Sequence, residues 1–137
     1  MKLNKKGFTL VELLAVIVVL SIIALIGYTV IGDTISNAQY GADARSLESY
    51  VNALESKCME LKVLSPTDTT AYTMDKVKSK VDESFKGTKP SNTANLVFGT
   101  GDKECTVAST AEGKTVDFAK SKCTYDATTG SAECKKN

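Results

Sequence analysis

The sequence predicts an α+β fold: one long N-terminal α-helix, apolar in its first half and amphipathic in its second, packed on a small antiparallel β-sheet. Three observations predict it. An apolar run extends from Phe8 to Ile31. An apolar stripe at helical spacing then continues from Tyr40 to Leu61. Beyond Leu96 the period changes, and short β-prone runs alternate with turns rich in Gly and Asp. Four segments follow: a leader at 1–7, an apolar helix at 8–32, the amphipathic half of the same helix at 33–64, and a globular head at 65–137.

The leader, MKLNKKG, carries Lys2, Lys5 and Lys6 and no acid. Lysines on one flank of an apolar run keep that flank cytoplasmic and place the C-terminal part outside. The 24 residues from Phe8 to Ile31 make a helix of about 36 Å, enough to cross a hydrocarbon core of about 30 Å. Leucine, isoleucine and valine surround this helix on every side, so it must be buried in lipid or among other helices. Glu12 interrupts the pattern. A charge at the centre of a span costs roughly 2.5–3.5 kcal/mol and less near the interface, so the acid needs a partner. A secretory signal would have a shorter apolar stretch and a small-residue cleavage site after it. Gly27-Tyr28-Thr29 is a poor one. An uncleaved anchor leaves Glu12 without a purpose.

The segment Gly7-Phe8-Thr9-Leu10-Val11-Glu12, after a short lysine-rich leader and before an apolar helix, resembles the type IV prepilin signature. Type IV pilins, the pseudopilins of type II secretion and competence pseudopilins share it. The resemblance implies a pilin-like fold and cleavage after Gly7 by a membrane aspartyl prepilin peptidase that also methylates the new terminus, Phe8. It further implies that the Phe8 amine of one subunit pairs with Glu12 of its neighbour during filament assembly. An assembly ATPase and a membrane platform protein are implied partners, as are other copies of the chain in a homopolymeric helical filament. The expected location is the cell membrane, single-pass, before assembly, and an extracellular filament afterwards. The family often has a proline where Thr29 stands; here Gly27 and Gly32 supply either flexibility or close helix contact.

Composition narrows the function classes. The whole chain has a net charge of +1, but from Phe8 onward it holds 14 basic and 16 acidic side chains, a balance of −2. Phosphate binding calls for a clear basic surplus, so nucleic acid is not an expected partner. There is no His and no Trp, and Arg45 is the one arginine. The commonest general base and metal ligand are therefore missing, which argues against an enzyme, a catalytic site or a cofactor. Asp102, Asp117 and Asp126 lack the alternate spacing of a calcium loop and define no metal site.

In the amphipathic half, Tyr40, Ala44, Leu47, Val51, Leu54, Cys58 and Leu61 form one narrow apolar face, with Asp43, Arg45, Glu48, Asn52, Glu55 and Lys57 on the other sides. Three heptads suit packing on the chain's own sheet better than a coiled coil. Ser65-Pro66 ends the helix, because the residue before proline is pushed out of the α region. A second helix is predicted from Met74 to Lys86, with Thr73 as N-cap and Gly87 as terminator. Its lysines, interrupted by Asp75, Asp82 and Glu83, read as a solvated face. Strands are predicted at Leu96–Phe98, Cys105–Val107, Thr115–Phe118, Lys122–Tyr125 and in a last run ending at Cys134.

Cys58, Cys105, Cys123 and Cys134 contain no CxxC pair, so zinc and thioredoxin-like chemistry fit poorly. An even number in an exported domain favours two disulfides over reduced core thiols. Three connectivities are open. A hairpin centred between Thr128 and Thr129 sets Cys123 opposite Cys134, within disulfide reach, and leaves Cys58 to join Cys105. The function expected is a structural pilin subunit. The alternatives are a competence or type II secretion pseudopilin, and a minor tip pilin with adhesive function.

Overall fold

The computed structural model describes residues 7–137, so Lys2, Lys5 and Lys6 lie outside the described residues. Helix α1 spans Leu10–Leu64, 55 residues. After it come α2 (Met74–Ser84), a 3-10 turn (Gly101–Lys103) and strands β1 (Val116–Asp117), β2 (Ser121–Asp126) and β3 (Ser131–Lys136). The strands form one antiparallel sheet in the order β1-β2-β3. The chain divides into two compact units, the first ending at Asn37 and the second covering Ala38–Asn137.

In the first unit every large apolar side chain of α1, from Leu10 through Ile35, is exposed. The serine and threonine hydroxyls of α1 there are satisfied within the helix. Ser21 Oγ donates to the Ile17 carbonyl at 2.6 Å, Thr29 to Ile26, Thr34 to Val30 and Ser36 to Gly32. A polar side chain bonded to its own backbone offers lipid no unsatisfied donor.

The second unit has the hydrophobic core. Leu47, Val51, Leu54 and Cys58 of α1 are buried against Val77 and Val81 of α2 and against Leu96, Val107, Val116, Phe118, Cys123 and Tyr125. The buried face is wider than the predicted stripe. Tyr50 is also buried, its hydroxyl donating to Asp82 Oδ1 at 2.8 Å and its ring edge-on to Phe85 at 5.3 Å. Burial first, then the Asp82 carboxylate, pushes the Tyr50 phenol well above its usual range. Asp43, expected on the solvent side, is buried as well and accepts the Ser121 hydroxyl at 2.6 Å.

Strand β2 alternates cleanly: Ser121, Cys123 and Tyr125 face the core, while Lys122, Thr124 and Asp126 face solvent. Its pairing with β3 sets Cys123 opposite Cys134 and Lys122 opposite Lys135. Gly130, at φ 67°, takes the left-handed conformation that closes the hairpin, its N–H donating to the Asp126 carbonyl at 2.8 Å. Past the short β1, the free edge of β2 is met by Thr110, whose N–H donates to the Tyr125 carbonyl at 2.9 Å.

Several predicted elements are shorter than expected. Leu96–Phe98 and Cys105–Val107 are not strands; they meet in a single bridge, Phe98 to Val107. Cys105 has φ 65°, a left-handed conformation incompatible with a strand, and the 3-10 turn lies just before it. Thr115–Phe118 contracts to β1, and the β2 and β3 runs extend to Asp126 and Lys136. Helix α2 stops at Ser84 because Phe85 is extended (φ −71°, ψ 121°) and turns its ring to Tyr50, so Gly87 is not the terminator. Thr73 holds the N-cap position without capping; its hydroxyl goes to the Thr70 carbonyl instead.

Leu54→Ala removes a core side chain and is expected to cost about 2–5 kcal/mol of head stability, read from urea unfolding. A pH effect is expected at the hairpin. The Thr128 N–H, 2.8 Å from Asp126 Oδ1, and then nearby hydroxyls hold Asp126 below the usual carboxylate range. The unfolded chain thus takes up this proton at higher pH than the folded one. The stabilisation is complete above the unfolded value and is lost as pH falls through the folded one. Asp126→Ala is expected to flatten that part of the acid-side fall in urea midpoint.

Candidate functional site

Gly7 and Phe8 lie in non-helical backbone just before α1, and Phe8 is 87% exposed. Because the helix begins at Leu10, Thr9 takes the N-cap position and Glu12 the third helical one. Their side chains form a reciprocal pair. The Glu12 N–H donates to Thr9 Oγ1 at 3.3 Å, while the Thr9 N–H and hydroxyl donate to Glu12 Oε2 at 2.8 and 2.9 Å. This is a capping box, which satisfies donors that a helix start leaves open. A carboxylate in the first turn also faces the positive end of the helix dipole.

The sequence reading places a partner of Glu12 outside the chain; the structure adds one within it, Thr9. The signal was present as Thr9-x-x-Glu12 ahead of an apolar run. The arrangement leaves the carboxylate usable. Among the described residues its hydrogen bonds all fall on Oε2, leaving Oε1 for a further donor.

All four cysteines are paired in the structure. Cys58 of α1 joins Cys105 with Cα atoms 5.3 Å apart, and Cys123 joins Cys134 across β2 and β3 at 4.1 Å. The first bridge ties helix to loop and the second spans a hairpin. Both separations lie in or close to the range a disulfide spans.

Three acids on α1, all assigned to its solvent sides, turn to the rest of the head. Glu55 Oε1 accepts the Val107 N–H at 2.8 Å, Glu48 Oε1 accepts the Ala132 N–H at 2.9 Å, and Asp43 holds Ser121. Near the end of α1, Lys62 reaches Glu104 at 2.9 Å, a contact that raises its ammonium pKa. Asp117 binds Asn92 and Thr115, and Asp126 binds Thr128 and Ser109. Among the described residues no group of three or more His, Cys, Asp or Glu is placed to hold a metal.

Residues 2–28 match the family model described as the prokaryotic N-terminal methylation motif. This is the type IV prepilin signature, and it supports a type IV pilin-like or pseudopilin precursor. No match was found among curated proteins or among solved structures. The motif and the apolar helix together fit membrane insertion before assembly.

Non-reducing peptide mapping is expected to recover Cys58–Cys105 and Cys123–Cys134 peptides; a Cys58–Cys134 peptide or four free thiols would contradict this pairing. The bridges close loops of 47 and 11 residues. In the chain-entropy account they contribute about 4 and about 3 kcal/mol. Cys58→Ser/Cys105→Ser should therefore lower the unfolding midpoint more than Cys123→Ser/Cys134→Ser.

Proposed function

We propose that this chain is a structural pilin, a subunit of a type IV pilus-like filament. It is cut between Gly7 and Phe8, methylated on Phe8 and polymerised through segment 8–32. The observation that carries this reading is the helical segment from Leu13 to Ile31, exposed and apolar on every side, joined to a methylation motif at residues 2–28. In the membrane, lipid covers this surface; in the filament, the same surface packs on identical helices. The exchange involves little net hydrophobic gain, so packing and polar contacts decide it.

Glu12 is the polar contact. Cleavage creates a positive amine on Phe8, one residue before the N-cap Thr9. A neighbour's amine on Oε1 gives each charge a partner and sets the axial offset of two subunits. A buried pair adds little stability, whereas one member left alone is costly, so the pair governs register and recruitment more than the fold of the head. The prepilin peptidase, an assembly ATPase and a platform protein are the partners this route requires. A competence or secretion pseudopilin uses the same chemistry, and filament length on cells producing the chain separates the two.

Intact-mass measurement is expected to give a chain beginning at methylated Phe8; an uncut chain, or one starting near residue 28, contradicts the reading. Glu12→Gln separates charge pairing from capping, because a glutamine at the third helical position still serves a capping box. Both Glu12→Gln and Glu12→Val are expected in the membrane fraction at wild-type amounts but depleted from sheared filaments. Normal incorporation of Glu12→Gln would leave Glu12 as a cap alone.

A further inference from the structure

The solvent face of the sheet carries charges that nothing above uses. Lys122 on β2 stands directly opposite Lys135 on β3. Like charges directly opposed destabilise a sheet, so the pair is a cost to the isolated head. Asp117, the neighbour of Lys122 on β1, has its carboxylate engaged by Asn92 and Thr115 at 3.3 and 3.0 Å. Glu133 reaches Lys135 at 3.5 Å, but both side chains are over 70% exposed, and such pairs contribute little.

The same face becomes acidic toward the hairpin turn. Asp126 lies four residues along β2 from Lys122, about 13 Å at strand rise. With Glu133 and Glu112 it lines an open cleft of about 520 Å³, alongside Ser109 and Thr110. One face thus holds a basic end on the β2–β3 hairpin and an acidic recess that the hairpin shares with the loop at 109–113.

We propose that this face is a contact between copies of the chain, in which Lys122 and Lys135 of one head sit against the Glu112, Asp126 and Glu133 recess of the next. The proposal rests on the filament reading and adds the surface by which heads meet. Charge complementarity selects the occupant: the chain from Phe8 has a balance of −2 and no surplus to draw in a foreign polyanion. In this arrangement each head gives its basic end to one neighbour and its recess to another, a heterologous contact, and such a contact continues along a filament where its rotation does not close a ring.

The test uses the full-length chain in cells that assemble it. Lys122→Gln/Lys135→Gln removes the repulsion, so the unfolding midpoint of the head should stay equal or rise. Its share in sheared filaments should nonetheless fall by about tenfold at unchanged membrane amounts. Lys122→Glu/Lys135→Glu should fall further, and adding Glu112→Lys/Glu133→Lys to that chain should restore incorporation. Wild-type incorporation of the neutral variant overturns the proposal. So does a fourfold variant that keeps a wild-type unfolding midpoint but incorporates no better than the charge-reversed pair. Either result leaves the filament reading intact, whereas a wild-type chain absent from sheared filaments removes that reading and this contact together.

Discussion

The apolar surface of α1 between Leu10 and Ile31 is the constraint on which the rest of the chain depends. Water does not tolerate so large a continuous apolar surface, and among the described residues of the first unit nothing covers it. A helix meets that problem in lipid because its backbone bonds are internal, and here the serine and threonine hydroxyls are internal too. Lipid and neighbouring helices are nearly equivalent covers for such a surface. In the proposed filament, assembly through it therefore needs directional contacts at its rim, and Glu12 is the acid available at its beginning.

The second half of α1 solves a different problem, which is to give a very small sheet a foundation. A two-stranded hairpin is marginal alone, and β1 adds only 2 residues to it. Here they share a core with Leu47, Tyr50, Val51, Leu54 and Cys58. Carboxylates of the same helix then satisfy donors on the sheet and its loops: Asp43 at Ser121, Glu48 at Ala132 and Glu55 at Val107. An acid that accepts a backbone N–H holds register as well as charge. The Cys58–Cys105 bridge and the Lys62–Glu104 pair fasten the long loop to the helix at its far end.

Much of this was legible in the sequence, for identifiable reasons. The apolar run and the spacing of Leu47, Val51, Leu54 and Cys58 specify α1, and Pro66 specifies its end. Strand β2 was legible because its alternation is strict. The strict spacing rule hid Tyr50 and Asp43, which widen the buried face and are polar enough to pass for surface. The two false strands, Leu96–Phe98 and Cys105–Val107, have β-prone residues, but propensity carries no information about the left-handed backbone at Cys105. At the N-terminal site, Gly7, Phe8 and Glu12 stood out as a motif, whereas Thr9 did not. Reading the acid as an intramembrane charge drew attention from the simpler rule that Thr-x-x-Glu caps a helix.

The central claim is that one helical surface is covered first by lipid and later by copies of itself. A photo-crosslinking amino acid in place of Val18, in the middle of the apolar segment, reports its neighbours directly. The account predicts lipid adducts in the membrane fraction and covalent dimers of this chain in the sheared filament fraction. Lipid adducts alone in both fractions, or crosslinks to a different protein in the filament fraction, would contradict it.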